Sequence, residues 1–312
     1  MTGLVRGNVP GFGHDPRADL AATAALGLSG LMFGSPFEVS PGLDHGELAE
    51  FRGLADGLGL ELGSGLGSLN VARPERVARL VAAGGGDLRT GLLRLLDAVA
   101  LLGAQTPYFY VGTIEDRLSA SLAWADQLAH VAAVLRDLAP ALRDRGMSLL
   151  LKTHEEITSA EIVALIEAVG PDVLGVAFDP VNVVVRGEAP LPAARRLAPH
   201  VRQVHLDDCD IRWTDRGARR VLCAMGAGAL DWPALLAPFS GVACWIDLHR
   251  GEFDMPFFEP SWLAHAPGLA VAELGFLAGA AARAEAAGRH AVQASPAERL
   301  QPMLDWTRER LR

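Results

Sequence analysis

The stretch LLLKTHEE, residues 149–156, constrains this chain most, because an apolar run ends on a lysine and a histidine two residues apart. Side chains on a strand alternate faces, so Lys152 and His154 point one way and Thr153 the other. Leu149, Leu150 and Leu151 followed by Lys152-x-His154 read as a buried strand whose C-terminal end opens into a polar site, as in a barrel of parallel strands.

The same signature recurs three times further along. LGVAFDPVN brings Asp179 and Asn182 to the end of an apolar run, VRQVHLDD brings His205 and Asp207 on one face with Asp208 on the other, and CWIDLHRGE brings Asp247 and His249. Four consecutive strands thus deliver carboxylates and imidazoles to one rim.

Between these runs the spacing predicts helices. The clearest covers Ala120 to Arg145, with Leu122, Leu128, Val131, Val134, Leu135 and Leu138 at spacings of three and four. Earlier helices are predicted over Asp15–Ala25, His45–Leu58 and Gly91–Leu102, and a strand over TPYFYVG, residues 106–112. If the glycine-rich start hides a first strand, the alternation repeats about eight times, over about the ~250 residues usual for such a chain. The expected fold is therefore a single-domain (β/α)8 TIM barrel over about residues 1–253, with a C-terminal helical extension over about 254–312. A doubly wound open sheet is the alternative.

Charge and composition narrow the partners. The net charge is −9, and no run of Lys and Arg is interleaved with aromatics, which argues against nucleic acid. No segment approaches the ~18 uninterrupted apolar residues of a membrane span, and the first residues lack the pattern of a secretory leader, so a cytoplasmic protein is expected. The three cysteines, without CxxC spacing, indicate neither a disulfide framework nor a zinc knuckle.

Asp179, His205 and Asp247, two carboxylates and an imidazole on adjacent strands, suit a divalent ion: Mn2+, Mg2+, Co2+ or Zn2+. Each residue taken alone has a plainer reading. Asp179 would cap the turn before Pro180, His205 would be a satisfied core histidine, and Asp247 would pair with Arg250.

The runs LLLKTHEEITSAEIVALIEAVG, LGVAFDPVNVVVRGEAP, APHVRQVHLDD, GAGALDWPALL and WIDLHRG together resemble the xylose isomerase-like barrel superfamily of sugar isomerases, sugar epimerases and related lyases. The resemblance covers the second half of the chain well and the first half by pattern. It implies a metal held by a fifth-strand carboxylate, the sixth-strand aspartate, the seventh-strand histidine and an eighth-strand carboxylate. Asp179 and His205 match, Asp247 is a shorter acid where glutamate is usual, and Lys152 stands where the fifth-strand glutamate belongs. Where the family often carries a lysine in an HxKD motif, this chain has Asp207, so Lys152 and Asp207 are expected to pair, with Asp207 assisting the metal.

The resemblance implies an isomerase or epimerase acting on a sugar or keto sugar acid through a metal-stabilised enolate. The alternatives are a decarboxylase of a 3-oxo sugar acid, such as 3-oxo-isoapionate, and a degenerate barrel that binds carbohydrate or a partner without turnover. The catalytic candidates are Lys152, His154 and Asp247; the substrate-binding candidates are His154, Asn182, His249 and Arg250. GSGLGS, residues 63–68, reads as a strand-end turn rather than a dinucleotide loop. Glu155 and Glu156 are expected in a solvated approach to a helix, with one of them reaching the site as the alternative, His14 near the first strand end is a candidate pocket residue, and His290 reads as a surface or packing residue. The apolar segment FDMPFFEPSW is expected to cover the barrel mouth or to make a subunit contact in a homo-oligomer.

Overall fold

A computed structural model describes residues 2–266, 268–289 and 292–311, so His290 lies outside the described residues. Strands β1 (Thr2–Val5), β2 (Gly30–Phe33), β3 (Glu61–Ser68), β4 (Tyr108–Tyr110), β5 (Leu149–Lys152), β6 (Leu174–Phe178) and β7 (Val201–Leu206) follow one another in the chain. After them come β8 (Asp208–Thr214), β9 (Gly217–Cys223), β10 (Ala243–Ile246) and β11 (Phe253–Met255). Strands β1–β7 and β10 close a parallel barrel in the order β1-β10-β7-β6-β5-β4-β3-β2, the (β/α)8 TIM barrel expected. The glycine-rich start does contain the first strand.

Helices cover the outside of this ring, so the strands are buried on both faces and read as nearly continuous apolar runs. In β5 and β6 every residue is buried. Inside, Val5, Met32, Tyr108, Leu150, Ala177 and Trp245 form a separate cluster that plugs the barrel beneath the polar rim. The Trp245 ring dictates glycine on β1 and β2. A Cβ at Gly3 would come within 2.3 Å of that ring, and one at Gly30 within 3.1 Å.

GSGLGS is neither a turn nor a phosphate loop but the body of β3, where small residues make room for Met32 and Tyr108. The long connection after β7 is structured too. Strands β8 and β9 form an antiparallel hairpin turned at TDRG, and β11 adds to it as a third strand. Charged residues within DCDIRWT and GARRVLC hid this pairing in the sequence. Among the described residues, no helix is long and apolar enough to cross a membrane.

Downstream of β11 lie helices Pro260–Ala264, Val271–Ala286 and Pro296–Arg310. The last opens with a capping box, Ser295 and Glu298 satisfying each other's backbone N–H. Near its start Arg299 reaches Asp207 at the C-terminal end of β7, and near its finish Arg308 donates to the Leu26 carbonyl ahead of β2. This helix therefore runs the height of the barrel as one of its outer layer. The last helix of the C-terminal extension thus packs along the wall of the barrel.

Candidate active site

Parity along each strand sets the site. On β5 Leu150 faces the barrel interior, so Lys152 does as well. Ala177 and then Asp179, and Trp245 and then Asp247, obey the same rule on β6 and β10. Thr153 points the other way, and its hydroxyl joins the strand ends by donating to the Asp179 carbonyl (2.9 Å) and accepting from the Asp179 N–H (2.7 Å).

Lys152 Nζ lies 2.5 Å from Asp247 Oδ2 and 3.0 Å from Asp179 Oδ2, with all three side chains at most 8% exposed. Asp247 Oδ2 also meets His205 Nδ1 at 2.9 Å. Asp179 Oδ2 also meets His249 Nε2 at 2.8 Å and accepts from Asn182 Nδ2 at 3.0 Å. Asp179 occupies the N-cap position of the short helix Pro180–Val185, but its carboxylate accepts from no backbone N–H of that helix and is left for the site. Asn182, on that helix, accepts from Arg220 at 3.4 Å.

Asp207 takes a different role from either expectation. It accepts from the backbone N–H of His249 (2.8 Å), meets His249 Nδ1 (3.1 Å), and is held by Arg299. Lys152 thus pairs with Asp247 and Asp179, while Asp207 belongs to His249 and Arg299. The reason is distance along the strand: Asp207 lies beyond His205, a layer above the lysine. Arg250 is exposed, and among the described residues it meets no carboxylate, so the Asp247–Arg250 pair does not form. His14 is exposed as well.

A second group flanks the lysine. His154 stacks on Tyr110, with ring centroids 4.9 Å apart, and its Nδ1 meets Glu156 Oε2 at 2.5 Å. Glu156 is fully buried rather than solvated, and its other oxygen accepts from the Gly112 N–H at 2.9 Å. Glu155 instead accepts from the Ile114 N–H.

The titration of these groups follows from burial opposed by charge. Burial disfavours the Lys152 ammonium, but Asp247 and Asp179 outweigh it and hold the group protonated. Burial likewise opposes the His249 cation, yet Asp179 and Asp247 push its pKa up to about 9. Burial raises both aspartates, and their cationic neighbours override it and hold them ionised: His249 then Lys152 for Asp179, Lys152 then His249 for Asp247. His205 goes down, through burial and then the nearby lysine, and stays neutral. Its Nδ1–H then donates to Asp247 and its Nε2 is a bare acceptor. Two carboxylates are balanced by two cations.

Atoms able to ligate a metal come within 4.8 Å of one another at Asp179, Asp247 and His249, an Asp/Asp/His cluster. This is not the set that the resemblance implies, because His205 stands outside the cluster and His249 takes its place. The ammonium of Lys152 also rests on the Oδ2 atoms of both carboxylates. With that charge in place, the residues do not fit a divalent cation.

This is a barrel with ionisable groups gathered at the C-terminal ends of its strands, the position of active sites in such folds. Residues 20–249 match the family model described as xylose isomerase-like TIM barrel, and the chain belongs to that family. The chain is 31% identical over 146 residues to the uncharacterized protein YihM of Escherichia coli K12, covering 45% of this chain and 42% of that one. It is 29% identical over 107 residues to 3-oxo-isoapionate decarboxylase of Pectobacterium atrosepticum, covering 33% and 38%. The matches thus span about two fifths of the length of these relatives. A solved structure of similar fold is D-psicose 3-epimerase with D-tagatose from Clostridium cellulolyticum H10, with TM-score 0.63 and 16% identity over 94% of this chain and 99% of that one.

Proposed function

We propose that the chain is an enzyme that forms an enolate from a keto sugar acid, and that it does so by decarboxylation. The observation that carries this reading is the position of Lys152, 2.5 Å from Asp247 and 3.0 Å from Asp179. Both carboxylates are held by cations, which weakens each as a base toward carbon, and the unpartnered acceptors, Asp179 Oδ1 and the neutral His205 Nε2, are assigned to substrate hydroxyls. An isomerase or epimerase needs such a base as well as an acid. A decarboxylase needs only a stabiliser of developing negative charge and a proton donor.

In the proposed reaction the bond between the α-carbon and the carboxylate of a 3-oxo acid breaks, CO2 leaves, and the electron pair becomes the enolate. The charge on the former carbonyl oxygen is stabilised by the Lys152 ammonium, which costs little reorganisation because the two aspartates already hold it in place. Protonation of the enolate carbon, from an acid at the site or from water, completes the step. Lys152 and His249 are the protonated groups available. Asp179 Oδ1 and His205 Nε2 are buried acceptors without a hydrogen-bond partner among the described residues, and they suit the hydroxyls of a sugar chain. The sequence match to a named decarboxylase and the sugar epimerase fold support a carbohydrate substrate.

Epimerisation is favoured by one observation of its own, the His154–Glu156 pair. Its Nδ1 is anchored by Glu156, so Nε2 is the face left for proton transfer, and Tyr110 fixes the ring plane.

Incubation with 3-oxo sugar acids and with plain ketoses in deuterated water separates these readings. Release of CO2 from the acids, with one deuterium placed on carbon, is the expected outcome. Deuterium exchange into ketoses without CO2 release would establish an isomerase or epimerase instead. Neither reaction across both substrate sets would leave a barrel that binds carbohydrate without turnover. Lys152→Met is expected to lower kcat by at least about 100-fold, the scale of losing a preorganised charge-stabilising group.

A further inference from the structure

The Lys152 side chain occupies ground that a metal would need. Its Nζ is shared by Asp179 Oδ2 and Asp247 Oδ2 at 3.0 and 2.5 Å, and those carboxylates come from different strands, β6 and β10. A divalent ion drawing on the same two oxygens would sit about 2.0–2.2 Å from each. It would lie against the ammonium, which has no lone pair to offer. The remaining ligand-type group in reach, His249, donates or shares its ring nitrogens with Asp179 and Asp207. His205, fully buried, turns Nδ1 to Asp247. The two carboxylates, one lysine and two imidazoles thereby hold one another, with Asp179 Oδ1 and His205 Nε2 as the acceptor atoms left without a partner among the described residues.

We propose that Lys152 is the resident cation of this site, and that the protein holds no divalent metal there. The lysine does with one positive charge what an ion bound to the same aspartates would do with two: it fixes both carboxylates and presents a positive atom to substrate. Tyr108, whose ring centroid lies 5.8 Å from Nζ, and the inner plug beneath it close the space below the ammonium.

One change would convert one kind of site into the other. Replacing the lysine by glutamate removes the ammonium and adds a third carboxylate facing Asp179 and Asp247. Three carboxylates with an imidazole form an oxygen-rich donor set suited to Mn2+. The inference rests on the arrangement of the side chains and is independent of which reaction is catalysed.

The test is a Mn2+ titration of the purified wild-type protein after chelator treatment, followed by electron paramagnetic resonance, alongside Lys152→Glu and Lys152→Gln. Wild type is expected to leave the free Mn2+ signal unchanged. Lys152→Glu is expected to remove about one Mn2+ per chain from solution, with Lys152→Gln binding at least about tenfold more weakly, because the neutral amide adds no charge. Stoichiometric Mn2+ binding by wild type would overturn the proposal, whatever the variants do. Absence of binding by a Lys152→Glu protein with native circular dichroism would also overturn it, because the lysine would then not be what excludes the metal. If Lys152→Glu does not fold, wild type and Lys152→Gln decide: binding by Lys152→Gln but not by wild type supports the proposal, and equal behaviour of the two overturns it.

Discussion

The Arg299 guanidinium, on the last helix, grips the carboxylate of Asp207 at the end of β7, and both side chains are almost wholly buried. Arg299 also donates to the backbone carbonyl of His249, while Asp207 receives the His249 N–H. The arginine touches no group of the Lys152 cluster, but it fixes the residue whose imidazole binds Asp179. It is a positioning residue. Arg299→Ala is expected to cost about 3–5 kcal/mol of stability, since it leaves a buried carboxylate without its partner. Arg299→Lys keeps the charge and loses the fork, so it should recover part of the melting temperature while His249 stays misplaced. Thermal unfolding and a separation of kcat from KM check this; a role confined to stability would leave kcat of Arg299→Lys at the wild-type level.

His249 should make stability depend on pH. Its pKa is raised to about 9, against about 6.5 for an unperturbed histidine. A group raised on folding contributes stability that is fully present below its unfolded pKa and is lost as pH climbs through the folded one. The contribution, on the order of 3 kcal/mol, should therefore be whole below about pH 6.5 and gone above about pH 9. Chemical denaturation across that window, with His249→Gln beside wild type, measures it. An unchanged slope in the variant would show that His249 does not carry the effect.

Glu156 should favour the protonated form of the His154 imidazole. Burial alone disfavours that form, and Glu156 reverses it, raising the pKa. Removal of the charge in Glu156→Gln leaves burial acting with less opposition, so the imidazole pKa is expected to fall. Nuclear magnetic resonance of ring-labelled histidine follows it directly. A pKa equal to that of wild type would contradict the pairing.

Gly3→Ala tests the plug beneath the site. The added methyl meets the Trp245 ring, and overpacking of this kind costs about 1–3 kcal/mol. Because Trp245 precedes Asp247 by two residues on the same strand face, the displacement should reach the site. Loss of stability in denaturant with full kcat would show the plug to be mechanically separate from the rim.

The barrel was legible because its strands are buried on both faces, which leaves apolar runs such as LGVAF, each ending on a polar residue. The rim residues Lys152, Asp179, His205 and Asp247 follow from strand parity alone. Their pairing does not, because which carboxylate a lysine reaches depends on its height in the barrel, and sequence spacing says nothing about the relative shift of neighbouring strands. Which of Glu155 and Glu156 turns inward is not legible, since a charged residue before a helix is usually solvated. The contacts of Glu156 with the Gly112 N–H, just beyond β4, and with His154 Nδ1 explain its burial. Arg299 left no local signal: its partner lies 92 positions earlier in the chain.

That separation has a consequence for biosynthesis. When β10 has left the ribosome all eight barrel strands exist, yet Asp207 has no guanidinium to meet until the Pro296–Arg310 helix emerges. A nascent barrel would carry at its mouth a buried acid held by His249 but lacking its guanidinium, so cotranslational maturation of the mouth waits for the final helix to dock.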